Sequence, residues 1–431
     1  MMHREWPFNA LFFEENRQRL TNLMEPDTMA ILFSNDQMPR NGDQYFPFRQ
    51  NSDLFHQTGI DQEKTVLMLF PNCPAERYRE ALFILRPGEL TERWEGKKLT
   101  IEDAKTISGV RNVYYLDDFD AALREAMYYT EQVYLDTHIY GKFNPDVSSR
   151  SLRYGLMIHD QYPFHQYRRL GPLLARVRGV KNDLEIGVMR EASQITADAF
   201  RRVARRVKPG VAEYELQAEI EHEFRIRKAT GHAFHPIIAT GNNATYLHYN
   251  HNRDVCKDGD LLLMDFGCEL YGYASDLSRT IPVNGKFSER QKAIYLEVLS
   301  VLQYAKPLFT SGNTISGIQK EVNGLMEDAM IRLGLFTEQD VKEQDPSSPL
   351  FTRYFPHGLS HHVGLDVHDP GKRQSPLSEG MVVTLEPGIY IPEEQVGVRI
   401  ETLLVISRPG PIDLFEDLEI TPEEIELLIN T

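Results

Sequence analysis

Two stretches in the second half of this sequence each carry an acid at the end of an apolar run and a second acid on the return from a short turn. The first is Leu261 to Thr280, LLLMDFGCELYGYASDLSRT, with Asp265 and Asp276. In the second, Glu386 closes Val382-Val-Thr-Leu and Glu401 closes Val396-Gly-Val-Arg-Ile. Each reads as a β-hairpin. A turn centred on Leu270-Tyr271 sets Asp265 opposite Asp276, and a turn near Glu393-Glu394 sets Glu386 opposite Glu401. Directly opposed hairpin residues have Cβ atoms only about 5 Å apart, where like charges repel. Behind an apolar strand, such a pair calls for a shared proton or a bound cation. One pair alone could be two solvated acids on a surface hairpin. Two pairs in equivalent places constrain the chain far more.

The equivalence extends to what precedes each hairpin. Asn182 or Asp183 caps a helix with Leu184, Val188, Ala192, Ile195, Ala199 and Val203 on one face, stopped by Pro209-Gly210. A second helix spans Ala212 to Lys228, a strand spans Pro236 to Thr240, and then comes the first hairpin. After Asn284-Gly285 the order restarts. Ser288 and Gln291 form a capping box that opens a helix to Leu308, Thr314 opens another to Leu333, and the second hairpin closes the chain. Two helices and a hairpin, twice over, read as an internal duplication, an α+β domain over residues 176–431.

Residues 1–175 have another pattern. Met29 to Phe33, Thr65 to Phe70, Ala81 to Leu85 and Gln132 to Leu135 look like buried strands, alternating with helices at Ile101 to Ile107 and Phe119 to Met127. That alternation predicts an α/β domain with a mixed sheet. A boundary falls near Arg169-Leu-Gly-Pro172, and a chain of 431 residues exceeds what one core usually serves. This half holds no glycine-rich nucleotide motif and no cluster of acids with histidines.

The net charge of -16 argues against nucleic acid or an anionic membrane as a partner. No apolar run is long enough to span a bilayer. The start, MMHREWPFNALFFEENRQRL, lacks the features of a signal peptide. Cys73, Cys256 and Cys268 have no C-x-x-C spacing and read as reduced thiols of a cytoplasmic protein.

Four of the 14 histidines, His357, His361, His362 and His368, fall between Pro356 and Pro370. Within that segment Val363 to Asp369 alternates like a strand. Four carboxylates and an imidazole form a hard, oxygen-rich site that suits Mn2+, Fe2+, Co2+ or Zn2+ with catalytic access. Four negative ligands exceed what one divalent ion balances; two ions ~3.5–4 Å apart balance them better. Such a site lowers the pKa of a water molecule and polarises a carbonyl, which points to amide hydrolysis. His248, in Thr245-Tyr-Leu-His-Tyr-Asn250, could stabilise an oxyanion, hold the leaving group, or be a turn histidine. Arg399 shares a strand face with Glu401 and is placed to orient a carboxylate. His222-Glu223 begins no zinc-protease motif, because position 226 is Ile.

These motifs, Asp-x10-Asp, His357-Gly-x-x-His361, Glu386-Pro-Gly and Arg399-Ile-Glu401, resemble in identity and order those of the pita-bread metallopeptidases. That family holds methionine aminopeptidase, prolidase and aminopeptidase P. Phe48 to Gly59 and Arg93-Trp-Glu-Gly96 are similar to the N-terminal domain of its Xaa-Pro aminopeptidase (aminopeptidase P) branch. The resemblance implies Asp265 on one metal, Asp276 and Glu401 bridging, and His361 with Glu386 completing the other site. It implies two Mn2+ ions, with Zn2+, Co2+ or Fe2+ as alternatives. His248, His357 and His368 would bind substrate and move protons, with Arg399 beside them. The implied reaction is metal-hydroxide attack on the bond between an N-terminal residue and a following proline, with Glu386 passing the proton to the proline nitrogen. The N-terminal domain would serve assembly and cover the cleft, and Trp94 would reach a neighbouring subunit in a homodimer or homotetramer. Prolidase activity on Xaa-Pro dipeptides is the nearest alternative. A metal-free creatinase-like amidinohydrolase and a non-catalytic binding relative are more distant. At His362, where relatives commonly carry a bulkier aromatic, the sequence departs from the family pattern.

Overall fold

Six strands of the N-terminal part, β1 Thr28–Phe33, β2 Val66–Leu69, β3 Glu80–Ile84, β4 Asn112–Tyr115, β5 Gln132–Leu135 and β6 Gln166–Arg169, pair in the order β4-β3-β2-β1-β5-β6. This computed structural model describes residues 7–136 and 146–431. Residues 1–6, the start of the stretch read for a leader, lie outside the described residues. β1, β2 and β3 pair antiparallel and the other neighbours parallel, so the sheet is mixed. Its apolar strands do not alternate because both faces are covered. Met29, Ile31, Phe33, Val66 and Met68 join one core with helix Phe119–Tyr128, while Ala30, Leu32, Leu67 and Leu69 join another with helix Ile101–Ser108. β6 has the sequence Gln-Tyr-Arg-Arg and no buried residue, which is why no apolar pattern announces it. By its contacts the chain divides between Arg178 and Gly179 into two compact units.

The second unit opens with α1, Asp183–Ala204, and α2, Glu213–Ile226. Asn182 caps α1 by accepting from the Leu184 and Glu185 N–H groups, and Glu185 reaches back to the Asn182 N–H at 2.9 Å. Leu184 is 47% exposed, so the apolar face begins one turn later, at Val188. Glu185 is buried instead, because its carboxylate also accepts from the Tyr273 hydroxyl at 2.8 Å. In the second half, the capping box of Ser288 and Gln291 starts α3, Glu289–Ala305, and Thr314 caps α4, Ile315–Arg332. With its two helix pairs and two hairpins, this unit has the duplicated pita-bread fold.

The first hairpin runs through β7 Leu261–Phe266, β8 Cys268–Leu270, β9 Tyr273–Ala274 and β10 Leu277–Pro282. Its register differs from the expected one by two residues. Asp265 pairs with Ser278, and Leu270 pairs with Tyr273. The turn residues are Tyr271 (φ 50°) and Gly272 (φ 84°), both left-handed. A two-residue hairpin turn of this type requires positive φ at both positions and favours glycine at the second. A turn on Leu270-Tyr271 would lack that glycine. Asp276 therefore lies diagonal to Asp265 rather than opposite it. A two-residue shift leaves every side chain on its face, so the two acids still point the same way. Leu261, Leu262, Leu263 and Met264 behind them are at most 1% exposed, each worth about 1.5–3 kcal/mol of burial.

The second hairpin, β11 Val382–Leu385, β12 Gly388–Ile391, β13 Val396–Arg399 and β14 Thr402–Val405, keeps one register on both sides of a break. Leu385 pairs with Thr402 and Gly388 with Arg399, which places Glu386 opposite Glu401 inside the break. Val363 to Asp369 is no strand. Asp369 N–H donates to His362 O at 2.9 Å, Gly364 N–H to Asp366 O at 3.0 Å, and the Asp369 carboxylate accepts from Asp366 N–H at 3.3 Å. These local bonds fold the segment into a loop, which meets the sheet only at isolated points such as the Val363 N–H to Val382 O bond. The hairpins are joined where Glu401 N–H donates to Ser278 O and Arg399 N–H to Thr280 Oγ1, both at 3.1 Å.

Candidate metal centre and active-site cleft

Asp265, Asp276, Glu386 and Glu401 come from four different strand ends, yet all line one cavity of about 320 Å3 together with His361. His248, His357, His368 and Arg399 line it too. Phe234, Ile237, Leu247 and Val367 make its apolar wall. Oxygens of Asp276 and Glu401 and a ring nitrogen of His361 lie within 4.8 Å of one another. The His361 Nε2 stands 3.5 Å from Asp276 Oδ2 and 3.5 Å from Glu386 Oε1.

The tautomer of His361 is set by its other nitrogen. Nδ1 lies 3.1 Å from the His362 carbonyl, which only accepts, so Nδ1 carries the hydrogen. Nε2 then turns a lone pair toward two carboxylates, an arrangement of acceptors facing acceptors that a cation between them would satisfy. Asp265 repeats the signal. Its Oδ2 accepts from Arg399 Nη2 at 2.5 Å, while Oδ1 is buried with no hydrogen-bond partner. The donor set, four carboxylates and one imidazole, fits hard divalent ions rather than a structural zinc.

The carboxyl groups respond to this crowding. Burial first, and then the charges of Asp265 and Glu386, push Asp276 well above the ordinary carboxylate range. Burial, then Asp276 and Glu386, does the same to Glu401. Burial also raises Glu386, against the pull of His361 and Arg399. Arg399 is buried at the centre of the cluster. Burial opposes its charge, but Tyr390 and Asp265 hold the guanidinium well above its usual value.

Several supporting residues escaped the sequence reading. Ser278 Oγ donates to Glu401 Oε2 at 2.7 Å and accepts from Arg399 Nε at 2.8 Å. Thr384 Oγ1 lies 3.1 Å from Glu386 Oε1 and accepts from the His361 N–H at 3.0 Å. The Tyr390 hydroxyl stands 2.8 Å from both Arg399 Nη1 and His357 Nε2. Arginine can only donate, so Tyr390 accepts from Arg399 and gives its own hydrogen to His357. Burial pushes the Tyr390 hydroxyl up to about 12, which keeps that hydrogen in place. His357 Nδ1 then donates to Gly358 O at 3.0 Å, and burial, with Arg399 nearby, lowers its pKa to about 3. His357 is thus a neutral ring with both nitrogens engaged. A Cβ on Gly388 would fall 2.7 Å from the Tyr390 hydroxyl, so that position has to be glycine for Tyr390 to reach Arg399. Strand parity was the available signal, since 386, 388 and 390 share a face.

Tyr390→Phe leaves two buried groups without a partner. It is expected to reduce kcat by about 10–100-fold, as loss of support around a metal site does, and to destabilise the protein by ~1–3 kcal/mol. Steady-state kinetics and thermal unfolding of the same preparation measure both.

His248 comes after the turn Gly241–Thr245 and is exposed at the rim, as is His368, whose ring meets that of His361 edge-on at 4.3 Å. The nine candidate site residues read from the sequence therefore reach the same cavity, whereas His362, the fourth histidine of the cluster, is buried and does not line it. The three cysteines are buried and free. Among the described residues no helix is long and apolar enough to cross a membrane.

A pita-bread domain whose cleft gathers four carboxylates and an imidazole defines a metal-dependent peptidase. The chain belongs to metallopeptidase family M24, whose model matches residues 187–408, and residues 13–134 match the N-terminal domain of aminopeptidase P. The chain is 35% identical to the Xaa-Pro aminopeptidase of Escherichia coli, with 97% of both chains covered. It is 29% identical to human Xaa-Pro aminopeptidase 3, over 93% of this chain and 80% of that one. Among solved structures, zinc-substituted E. coli aminopeptidase P in complex with product is similar at a TM-score of 0.87, with 32% identity and 98% of each chain covered. A Pseudomonas aeruginosa aminopeptidase is similar at a TM-score of 0.88, with the same identity and coverage.

Proposed function

We propose that this enzyme removes the N-terminal residue from peptides whose second residue is proline. The observation that carries the reading is the acceptor-lined cluster of Asp265, Asp276, His361, Glu386 and Glu401 in a chain that matches Xaa-Pro aminopeptidases along nearly its whole length. Those five residues would hold two divalent ions, Mn2+ foremost, which when bound polarise a carbonyl and make a water molecule acidic enough to attack near neutral pH. Asp276 and Glu401, one from each half, would hold the ions together with His361. Arg399 orients Asp265 through its Nη2. Glu386, which lines the cavity beside His361, is assigned to carry the proton toward the departing proline nitrogen. His248 and His368, on the rim, contact substrate and steady the developing oxyanion. His357, expected to bind substrate and move protons, lines the same cavity and also holds the Tyr390 hydroxyl through its Nε2. A tertiary Xaa-Pro amide offers no N–H, and the apolar wall of Phe234, Ile237, Leu247 and Val367 suits a proline ring.

Residues 1–175 are assigned to assembly and substrate access, and 176–431 to catalysis. Trp94, 82% exposed, is assigned to contact with a second copy in a homodimer or homotetramer. Free buried cysteines fit a cytoplasmic setting.

Activity on Xaa-Pro-Yaa peptides and on Gly-Pro should be compared after chelation and stepwise return of Mn2+, Zn2+ and Co2+. The tripeptide is expected to be cleaved, with Mn2+ restoring the highest rate. Cleavage of the dipeptide alone would make the enzyme a prolidase, and full activity after chelation would remove the ions from the mechanism.

A further inference from the structure

The two halves of the duplication supply different parts of the metal centre. Asp265 and Asp276 come from the first half, and His361, Glu386 and Glu401 from the second. Their spacing therefore depends on how the His361–Asp369 loop is held against the first half. Lys181, which precedes the N-cap of α1, grips the second half at two points. Its backbone N–H donates to Gly380 O at 2.9 Å, and its Nζ donates to Asp369 Oδ2 at 2.9 Å. The two side chains are 1% and 0% exposed.

From that pair a short chain of bonds leads to the metal centre. The Asp369 N–H donates to His362 O at 2.9 Å, and the same carbonyl accepts from His361 Nδ1 at 3.1 Å. The carbonyl that sets the tautomer of His361 is thus held by the residue that Lys181 anchors. Packing leaves no slack: a Cβ on Gly364 would fall 2.6 Å from Asp369 Oδ2 and 2.9 Å from Lys181 Cε. Gly364 O in turn accepts from the Ala274 N–H at 2.8 Å, two residues before Asp276. A buried ion pair is weak evidence for stability, because apolar residues of similar volume often serve as well. What this pair offers that apolar residues do not is a fixed direction between its two ends.

We propose that the buried Lys181–Asp369 pair is a positioning device that sets the separation of His361 from Asp276, so that Lys181, outside the cleft, governs divalent-ion affinity. This rests on the assignment of His361 and Asp276 as ligands. The test is calorimetric titration of Mn2+ into the chelated full-length protein, with thermal unfolding measured alongside, for the wild type, D276A, K181M and K181M/D369L. Lys181→Met should weaken Mn2+ binding by about 10–100-fold, the usual effect of losing an outer partner of a ligand. The double variant removes both buried charges together, along with the Asp369 acceptor of the Asp366 N–H. It should melt above K181M and still bind Mn2+ weakly. If a folded K181M or K181M/D369L protein binds Mn2+ as the wild type does, the pair has only a structural role and the proposal falls. Should K181M fail to fold, the double variant decides. Equal Mn2+ binding by the wild type and D276A would instead overturn the ligand assignment, and the proposal with it.

Discussion

Asp276→Ala is expected to lower kcat/KM for an Xaa-Pro-Yaa peptide by about 10³-fold or more while leaving the metal-free protein folded. Bound ions contribute several kcal/mol to stabilising the charge that develops on a carbonyl, and each 1.36 kcal/mol is a tenfold change in rate. We assign Asp276 as a ligand because it lies within reach of His361 from the second half and shares a strand face with Asp265 from the first. The fold should survive because Asp276 stabilises little in the absence of metal. Its carboxyl is buried among other acids, and its replacement relieves their repulsion. Kinetics with saturating Mn2+ and unfolding after chelation measure the two effects separately. Activity within tenfold of the wild type would exclude Asp276 as a ligand.

Glu401→Gln should invert the usual relation between a substitution and stability. A carboxyl whose pKa rises on folding holds its proton more tightly in the native state than in the unfolded chain. Its contribution is fully present below the ordinary carboxylate range and is lost as pH climbs through the raised value. Glu401 is raised in this way by burial and by Asp276 and Glu386. Metal-free wild type and Glu401→Gln should therefore melt together near pH 4 and diverge above it. Near neutral pH the glutamine variant should be more stable by roughly 1–3 kcal/mol, several degrees in Tm for a domain of this size. Glutamine still accepts the Ser278 hydrogen bond that Glu401 receives, so little packing is lost. With saturating Mn2+ the order reverses, because ligand binding stabilises only the protein that binds it. Thermal unfolding across pH 4–8, with chelator and with Mn2+, reads the whole pattern. A metal-free Glu401→Gln protein less stable than the wild type near neutral pH would show that the acids do not crowd one another.

Both expectations depend on acids that were visible in the sequence, although their geometry was not entirely so. The Asp-x10-Asp and Glu386…Glu401 spacings picked out four acids that line one cavity, and the second hairpin has the expected register. The first does not, because Tyr271-Gly272 rather than Leu270-Tyr271 supplies the two left-handed turn residues. The error cost nothing at the site, since it was an even number of residues. An odd shift would have pointed one acid away from the cavity. His357 shows the opposite case. Its membership of the cluster was legible, but its state was not, because the Tyr390 hydroxyl that fixes it arrives from 33 residues away.

Local periodicity and capping were enough to read the strand faces of Asp265, Asp276, Glu386 and Glu401, the caps at Ser288 and Thr314, and the duplication, while the structure chose Asn182 over Asp183 as the first cap. Each of these features depends on residues a few positions apart, so the linear chain already contains it. The contacts that tune the acids depend instead on docking one half against the other. Ser278 on Glu401, Arg399 on Asp265 and Lys181 on Asp369 join residues more than 120 positions apart. No pattern along the chain encodes those distances. They arise when two separately legible hairpins bury their apolar faces and bring their acids to one point.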